Sequence, residues 1–201
     1  MNILKMFLIC LWVLVPSKGW SYGTSYFEEE RPISLSGWSF SARLGTDLSN
    51  PYLETYSGHF GAHYFWSERW GVQAVFQQSW SDVSDLNNAI EQDFEMNGLA
   101  TRNRRPEETI RAGLEVTPLF GRLNFFSVSV VDFRVNTALG LGLRSFSFGD
   151  DAVLAYWSLE PQVRLSESVW AQLVFQQNTV EIGQDQQFTE SEVQLGTRIL
   201  F

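Results

Sequence analysis

Residues 56–77 read YSGHFGAHYFWSERWGVQAVFQ, and this stretch contains the pattern that decides the fold. Aromatic residues and alanine take most even positions from Tyr56 to Trp66, with serine, histidine and glycine between them up to position 63. After Ser67, Glu68 and Arg69 the alternation resumes and continues to Gln77. Side chains that alternate between two faces indicate a β-strand. The stretch therefore predicts two antiparallel strands joined by a tight turn, each with one apolar and one polar face.

The same alternation recurs along the rest of the chain. The polar face carries Arg, Gln, Glu and Gly without Lys, whereas a soluble sandwich would turn a Lys-rich face to water. The apolar face is aromatic, with Trp and Tyr near strand ends, as in the girdles of membrane barrels. We therefore predict an all-β protein, a transmembrane eight-stranded antiparallel up-and-down β-barrel; a secreted soluble β-sandwich is the alternative. The eight segments are centred on residues 38–44, 56–66, 70–76, 110–116, 133–143, 153–163, 169–175 and 193–201.

The first 19 residues have the pattern of a secretory signal peptide. Lys5 precedes an apolar run over residues 6–15, and small residues at Ser17 and Gly19 suit cleavage. The run is too short for a spanning helix, and it contains Cys10, the one cysteine of the chain. The exported chain is therefore expected to have no disulfide and no thiol nucleophile. We predict a periplasmic segment over residues 20–34 and the barrel over residues 35–201.

Charge excludes one class of partner. The two lysines, Lys5 and Lys18, lie in the predicted signal peptide, so 12 of the 14 basic residues remain against 23 acids. Nucleic acid binding needs a basic face, which this balance does not supply. An exported barrel with these features belongs in a Gram-negative outer membrane, where lipid is the expected surrounding.

The loops follow the parity of an outer-membrane barrel, with short turns on the periplasmic side and longer loops outside. The longest loop, residues 81–106, is predicted to be extracellular, and Arg102, Arg104 and Arg105 at its end are candidate contacts for lipid phosphates. The periplasmic stretch 119–131 is too short for two spanning strands. We expect it to lie against the barrel end or in the inner leaflet; ten strands would result only if it formed a spanning hairpin.

Two runs, GLEVTPLFGRLNFF and VVDFRVNTALGLGLRSF, carry a family resemblance. They are similar to the outer-membrane barrel family of myxobacteria and predatory or gliding relatives, which pairs a Pro-x-aromatic-Gly-Lys/Arg element with an aliphatic-Asp-aromatic element and a Gly-x-Gly strand. Arg122 stands where that family more often has Lys. The resemblance implies an outer-membrane barrel and little about function. In general pattern the chain also resembles small OmpA- and OmpX-type barrels. The matching residues are Pro118, Phe120, Gly121, Arg122, Asp132, Phe133, Gly140 and Gly142.

The last residues, QLGTRILF, alternate and end on Phe201. This pattern is similar to the signal by which the barrel-assembly machinery recognises its clients, so we expect that machinery and periplasmic chaperones as partners during biogenesis. Closure of the last strand on the first would remove both sheet edges. The residues of the predicted signal are Val193, Leu195, Thr197, Ile199 and Phe201.

The polar face predicts a filled interior, because eight strands enclose a space just wide enough for side chains. Buried charges must pair, so we expect a salt-bridged plug; a narrow channel is the alternative. The predicted network is Arg43, His59, His63, Arg111, Glu115, Arg134, Arg144, Glu160, Arg164, Glu192 and Arg198, with Gln73, Asn136, Gln162 and Gln172 beside it.

Neither a cofactor nor a metal site is expected. His59 and His63 share a face but lie about 13 Å apart along a strand, too far to bind one zinc ion. Ser57 and His59 are closer, about 7 Å, yet no nucleophile elbow or oxyanion hole accompanies them. We therefore predict a non-enzymatic integral outer-membrane protein for envelope structure or surface interaction. A small channel and, less favoured, a lipid-modifying enzyme are the alternatives, and a homo-oligomer is possible without direct support.

Overall fold

The chain forms a closed β-barrel in the computed structural model, which describes residues 36–49, 53–83, 106–125, 129–147, 151–182 and 186–201. Within these residues there are eight strands, each antiparallel to the next, and β8 pairs with β1. This confirms the predicted eight-stranded antiparallel up-and-down barrel. The strands are β1 (Gly37–Asp47), β2 (Leu53–Phe65), β3 (Trp70–Val83), β4 (Pro106–Phe125), β5 (Ser129–Phe146), β6 (Ala152–Arg164), β7 (Val169–Ile182) and β8 (Gln186–Leu200).

The turn between β2 and β3 shows how the local sequence begins a strand. The Ser67 hydroxyl accepts hydrogen bonds from the backbone N–H groups of Trp70 and Arg69, at 3.1 and 3.4 Å. The hydroxyl thus satisfies backbone donors that a tight turn leaves unpaired. From there the register pairs Phe76 with Phe60, so the aromatic residues of both strands lie on the outer face.

The stretch 119–131 does not add strands, and it does not lie apart from the sheet either. Residues 119–125 lengthen β4 and residues 129–131 lengthen β5, with Leu119 opposite Val135 and Phe125 opposite Ser129. The ten-strand alternative is therefore wrong, and so is our expectation that this stretch lies against the barrel end. The hairpin extension, residues 118–125 and 129–132, passes beyond the last pairs that β4 makes with β3 and β5 makes with β6.

A bulge marks the start of this extension. The β4–β5 register shifts between Val116 and Leu119, where Pro118 has no N–H to donate to a ladder. Thr117 before the bulge is buried and Leu119 after it is exposed, so the bulge moves the odd positions of β4 from the inner to the outer face.

The outer face of the barrel is apolar. On β1, β2 and β8 the outward side chains include Leu44, Phe60 and Leu195, which are 72%, 64% and 66% exposed. Such side chains form a continuous surface instead of the isolated exposed residues of a water-soluble protein. One polar pair on this face is satisfied within it, because Trp157 Nε1 donates to Gln177 Oε1 at 2.8 Å.

Aromatic residues lie at both ends of the apolar band. Tyr56 and Trp80 pair at the end of the barrel where β3 leads into the β3–β4 connection, which we call the outer end. Trp66 and Trp70 lie at the opposite end, beside the β2–β3 turn, which we call the inner end. All four side chains are exposed. Ten residues separate Trp70 from Trp80, a length of about 33 Å along a strand and roughly 25 Å along the axis of a barrel with strands tilted about 40°. This height equals the apolar band of known membrane barrels. Among the residues that the structure describes, no helix is both long and apolar enough to cross a bilayer.

Candidate functional site

The structure places nearly all of the predicted polar network inside the barrel. Fourteen of those fifteen residues are buried, on the face opposite the apolar band. Arg164 is the exception. Its guanidinium lies at the inner rim, where Nη1 bonds Asp132 Oδ2 at 2.9 Å and Nε donates to the Ser166 carbonyl. The buried members are Arg43, His59, His63, Gln73, Arg111, Glu115, Arg134, Asn136, Arg144, Glu160, Gln162, Gln172, Glu192 and Arg198.

Glu115 is the centre of this network. Arg198 Nη1 and Nη2 donate to its two oxygens at 2.6 and 3.0 Å, an arrangement with two parallel bonds. His63 Nδ1 lies 2.8 Å from Oε2, and Asn136 Nδ2 donates to Oε1 at 2.6 Å. Glu115 is on β4 and Arg198 on β8, which are opposite each other in a ring of eight strands. The pair therefore crosses the centre of the lumen.

A second cluster lies nearer the outer end. Glu192 Oε1 accepts a hydrogen bond from the Ser57 hydroxyl and lies 2.8 Å from His59 Nε2. Arg111 Nη2 lies 2.9 Å from His59 Nδ1. Farther out still, Arg144 pairs with Glu190, a residue that the sequence did not indicate. The network thus continues from the centre to the outer mouth.

Other contacts also cross the lumen. Arg43 on β1 forms an ion pair with Glu160 on β6 at 3.8 Å, and Gln73 Nε2 on β3 donates to the Tyr156 hydroxyl on β6 at 3.2 Å. A cavity at the outer mouth, with Asp47 among its lining residues, measures about 10 Å³, room for about one water molecule. These contacts fill the described part of the lumen with side chains.

The interior is not wholly polar, which corrects the prediction. Leu154 and Val180 form an apolar cluster with Ala138, Ala152 and Tyr156. Sequence reasoning missed these residues because both faces of β6 are apolar over residues 152–157, so no alternation shows there. The buried hydrophobic residues facing the lumen include Phe65, Val75, Ala138, Leu154, Tyr156, Trp170, Val174 and Val180.

Aromatic rings inside the barrel lie against arginines. The Arg134 Cζ atom is 4.6 Å from the centroid of the Trp170 ring, and Arg198 Cζ is 5.2 Å from that of Phe65. Arg111 Cζ is 5.5 Å from the Tyr156 ring. Such contacts stabilise a desolvated cation by about 2 kcal/mol, more than at an exposed site.

Glycines on the polar face provide space for these large side chains. A Cβ atom on Gly140 would lie 2.8 Å from Tyr156 Cε1 and would overlap the Ala112 carbonyl oxygen. A Cβ on Gly61 would lie 2.5 Å from Ser41 Oγ and 2.8 Å from His63 Nε2. The glycines of the alternation therefore leave the volume in which the network packs.

Ser57 and His59 do not form a base and a nucleophile. Arginine has no acceptor, so Arg111 donates to His59 Nδ1, and the ring proton of a neutral His59 lies on Nε2. That nitrogen faces Glu192 and has no lone pair for the Ser57 proton, which goes to Glu192 instead. His59 thus cannot deprotonate Ser57 in this arrangement.

Ser41, His63 and Glu115 have the connectivity of a serine triad, which the sequence did not indicate. Ser41 Oγ is 2.9 Å from His63 Nε2, and His63 Nδ1 is 2.8 Å from Glu115 Oε2. All three residues are buried, and Arg198 occupies both oxygens of Glu115. Among the described residues, the three side chains thus form a buried chain of hydrogen bonds next to the contacts that cross the lumen.

The remaining predicted sites are the assembly signal and the three loop arginines. Leu195, Thr197, Ile199 and Phe201 are exposed on the outer face and Val193 is half-buried there. The N–H of Phe201 donates to the Trp38 carbonyl at 3.1 Å. Arg102, Arg104 and Arg105 lie outside the described residues. Among the described residues, no group of three His, Cys, Asp or Glu side chains is arranged to hold a metal ion.

Comparisons with known proteins return barrels and no family. No protein-family model matches the chain, and no curated protein matches it. Among solved structures, it is similar to neisserial surface protein A, with 12% identity, a TM-score of 0.47, and 83% of this chain and 98% of that chain covered. It is also similar to a de novo designed transmembrane barrel, with 11% identity, a TM-score of 0.43, and 87% of this chain and 100% of that chain covered. A major outer membrane protein of Thermus thermophilus has 10% identity and a TM-score of 0.34, with 82% of this chain and 99% of that chain covered. Likeness at this level carries no information about function.

Proposed function

We propose that this chain is a non-enzymatic integral protein of the Gram-negative outer membrane, with a closed interior and a role in envelope structure or surface interaction. One observation carries the proposal: the barrel has its charged and hydrogen-bonded side chains inside and a band of aliphatic and aromatic side chains outside. Only a hydrocarbon surrounding makes that arrangement favourable, since water would leave the whole outer face unburied.

Membrane extraction followed by gel electrophoresis tests this proposal. We expect the protein in the outer-membrane fraction, soluble only with detergent, and migrating differently before and after boiling, because a closed barrel resists dodecyl sulfate until heated. A protein that stays monomeric in buffer without detergent, with one gel mobility, would overturn the proposal.

The closed interior predicts that the barrel does not conduct ions. The Glu115–Arg198 and Arg43–Glu160 contacts both cross the lumen, and each is buried. We expect no reproducible current steps from the pure protein in planar lipid bilayers. Steps of constant size at low protein concentration would support the small channel instead.

Lipid modification is the other function to test. The buried Ser41 and the Nε2–H tautomer of His59 both argue against hydrolysis of an acyl chain in the surrounding lipid. We expect mass spectra of lipid A and phospholipids from expressing cells to equal those of cells without the protein. A new deacylated or acylated species that disappears with Ser41→Ala would show an enzyme.

Recognition by the barrel-assembly machinery is part of the proposal. Phe201 is 79% exposed and its ring lies 5.7 Å, edge to face, from that of Phe40 on the outer surface. We expect Phe201→Ala to lower the folded fraction in cells several-fold, while the yield of refolding in detergent stays within about twofold. An equal loss in detergent would mean that Phe201 acts on stability rather than on recognition.

Two finer points remain proposals. Membership in the myxobacterial type of barrel is supported by the roles of its motif residues, since Arg122 and Asp132 form an ion pair and Gly140 leaves space for Tyr156. Contact of Arg102, Arg104 and Arg105 with outer-leaflet phosphates rests on their sequence position at the end of loop 81–106, next to β4.

A further inference from the structure

Eight buried side-chain atoms of the described residues have no hydrogen-bond partner, and four of them belong to neighbouring side chains that offer a donor and an acceptor. Arg43 Nε and Glu160 Oε2 belong to side chains that already form an ion pair, and Arg111 Nη1 and Gln73 Oε1 both belong to side chains in contact with Tyr156. A single bridging water satisfies such a pair, because it both donates and accepts.

The inner end of the lumen is different, because there two donors lie together. Arg134 Nη2 and Trp170 Nε1 are both unpartnered, in side chains that are 1% and 2% exposed. The Arg134 Cζ atom is 4.6 Å from the centroid of the Trp170 ring, so the two groups are neighbours. Both N–H groups can only donate.

The side-chain oxygens of the neighbouring glutamines, Gln162 and Gln172, each accept one hydrogen bond already. Arg134 Nε donates to Gln162 Oε1 at 2.5 Å, and Gln162 Nε2 donates to Gln172 Oε1 at 3.4 Å. Gln172 Nε2 in turn donates to the Thr197 carbonyl. Arg198 on β8, which pairs with Trp170 on β7, is a second cation, and it donates hydrogen bonds to both oxygens of Glu115. Further donors and a second cation therefore lie near the Arg134–Trp170 pair, and none of these acceptors bonds to Arg134 Nη2 or Trp170 Nε1.

Charge adds to the need for an acceptor. Among the described residues no carboxylate forms an ion pair with Arg134, whereas the buried arginines Arg43, Arg144 and Arg198 each have one. Within the same residues Arg111 also lacks an ion pair, but its Nη2 donates to His59 Nδ1. A guanidinium stays protonated in proteins, and an unpaired buried charge costs several kcal/mol. A water molecule would satisfy the N–H groups but would not supply a negative charge in direct contact with the guanidinium.

We propose that the inner end of the lumen binds one small monovalent anion of the halide type, held by Arg134 Nη2 and Trp170 Nε1. Two N–H donors and one positive charge match such an ion, whereas a phosphate needs more donors to replace its hydration. Trp170 is the second residue of β7, after the turn 165–168, and Arg134 pairs with Gln162 near the end of β6, so the site lies next to the inner rim. The rim is the route by which the ion exchanges with solvent.

Chloride dependence of stability tests the proposal on the full barrel in detergent micelles. Sodium gluconate is replaced by sodium chloride at constant ionic strength, and the urea midpoint of unfolding is measured at each chloride concentration. We expect a saturable rise, because a ligand bound only to the folded state stabilises it. Trp170→Phe, which keeps the ring and removes the N–H, should raise the half-saturating chloride concentration at least tenfold. Arg134→Gln should abolish the response.

Trp157→Phe is the matched control, because its N–H is partnered by Gln177 on the outer face. It should respond to chloride as the unmodified barrel does. Iodide quenching gives a second readout if Arg134→Gln does not fold: a saturable part of the emission should be quenched in the unmodified barrel and lost in Trp170→Phe. A midpoint independent of chloride, or an equal response in Trp170→Phe, would show water at the site and overturn the proposal. Neither result bears on the proposed membrane-barrel function, which the gel experiment tests separately.

Discussion

At the residue scale, the large polar side chains of the lumen fit inside the barrel because glycines lie beside them. Glycines on the inner face leave the volume into which Tyr156, His63 and Arg43 project, and these large side chains reach their partners across the lumen. A barrel of eight strands has no room for both a Cβ at every inner position and a network of this size. Substitutions inside should therefore be costly for two separate reasons, volume and charge.

Gly140→Ala tests the first reason. The new Cβ overlaps the Ala112 carbonyl oxygen, which is backbone and cannot move away cheaply, and it presses on Tyr156. We expect the free energy of unfolding to fall by about 1–3 kcal/mol, measured by urea unfolding in lipid vesicles. Gly58→Ala is the control, since its Cβ would lie 3.2 Å from Trp80 Cη2 and would meet only the edge of a side chain. Equal losses for the two variants would contradict the volume argument.

Glu115→Gln tests the second reason. The substitution keeps the shape but leaves Arg198 without its carboxylate, buried between β4 and β8. We expect a loss of about 3–5 kcal/mol in the same unfolding assay. A second change, Arg198→Gln, should recover part of that loss, because it removes the uncompensated charge. Glu68→Gln, at an exposed turn position, is the control and should change stability by less than about 0.5 kcal/mol.

At the scale of elements, the hairpin extension is a part of the barrel in which both strands have an unpaired edge. Residues 118–125 and 129–132 pair with each other but not with β3 or β6. Asp132 ties the extension to the rim, since Arg122 Nε and Arg164 Nη1 both bond to it at 2.9 Å. Partly exposed pairs of this kind contribute little to global stability, but they can set how often a local element opens.

Asp132→Asn should therefore separate local from global stability. We expect the free energy of unfolding of the barrel, measured with urea, to change by less than about 1 kcal/mol. Amide hydrogen exchange of residues 119–131 should accelerate several-fold, while exchange in β7 stays as it was. A uniform acceleration over the whole barrel would show that Asp132 supports the fold itself.

At the scale of the whole molecule, the apolar band and its aromatic ends define which solvent the barrel needs. Ala74 faces outward about midway between Trp70 and Trp80, and the proposed function places it near the bilayer midplane. Ala74→Arg should cost about 2–4 kcal/mol in vesicles, because a charge at the midplane is desolvated. Gln78→Arg, on the same strand near the outer end, should cost about 0–1 kcal/mol. If both changes were neutral, the band would not lie in hydrocarbon.

The sequence by itself determined the strand number, the order of strands and the two faces, because a period of two requires only local backbone geometry. It placed Arg43, Glu115 and Arg198 on the inner face for the same reason. It could not determine that Glu115 pairs with Arg198 or that β4 and β5 continue past their neighbours. Those features depend on which strands lie opposite in the closed ring and on a one-residue bulge at Pro118.

Only the tertiary structure revealed the mixed lumen and its unpartnered donors. Leu154 and Tyr156 lie in a run without alternation, so their inward direction follows from pairing with β5 and β7 rather than from the pattern. Arg134 and Trp170 are 36 positions apart in the chain and come together through the β5–β6–β7 ladders. The physical reason is general: local alternation sets the face of a side chain, but its partner is set by register and closure, which are properties of the whole sheet.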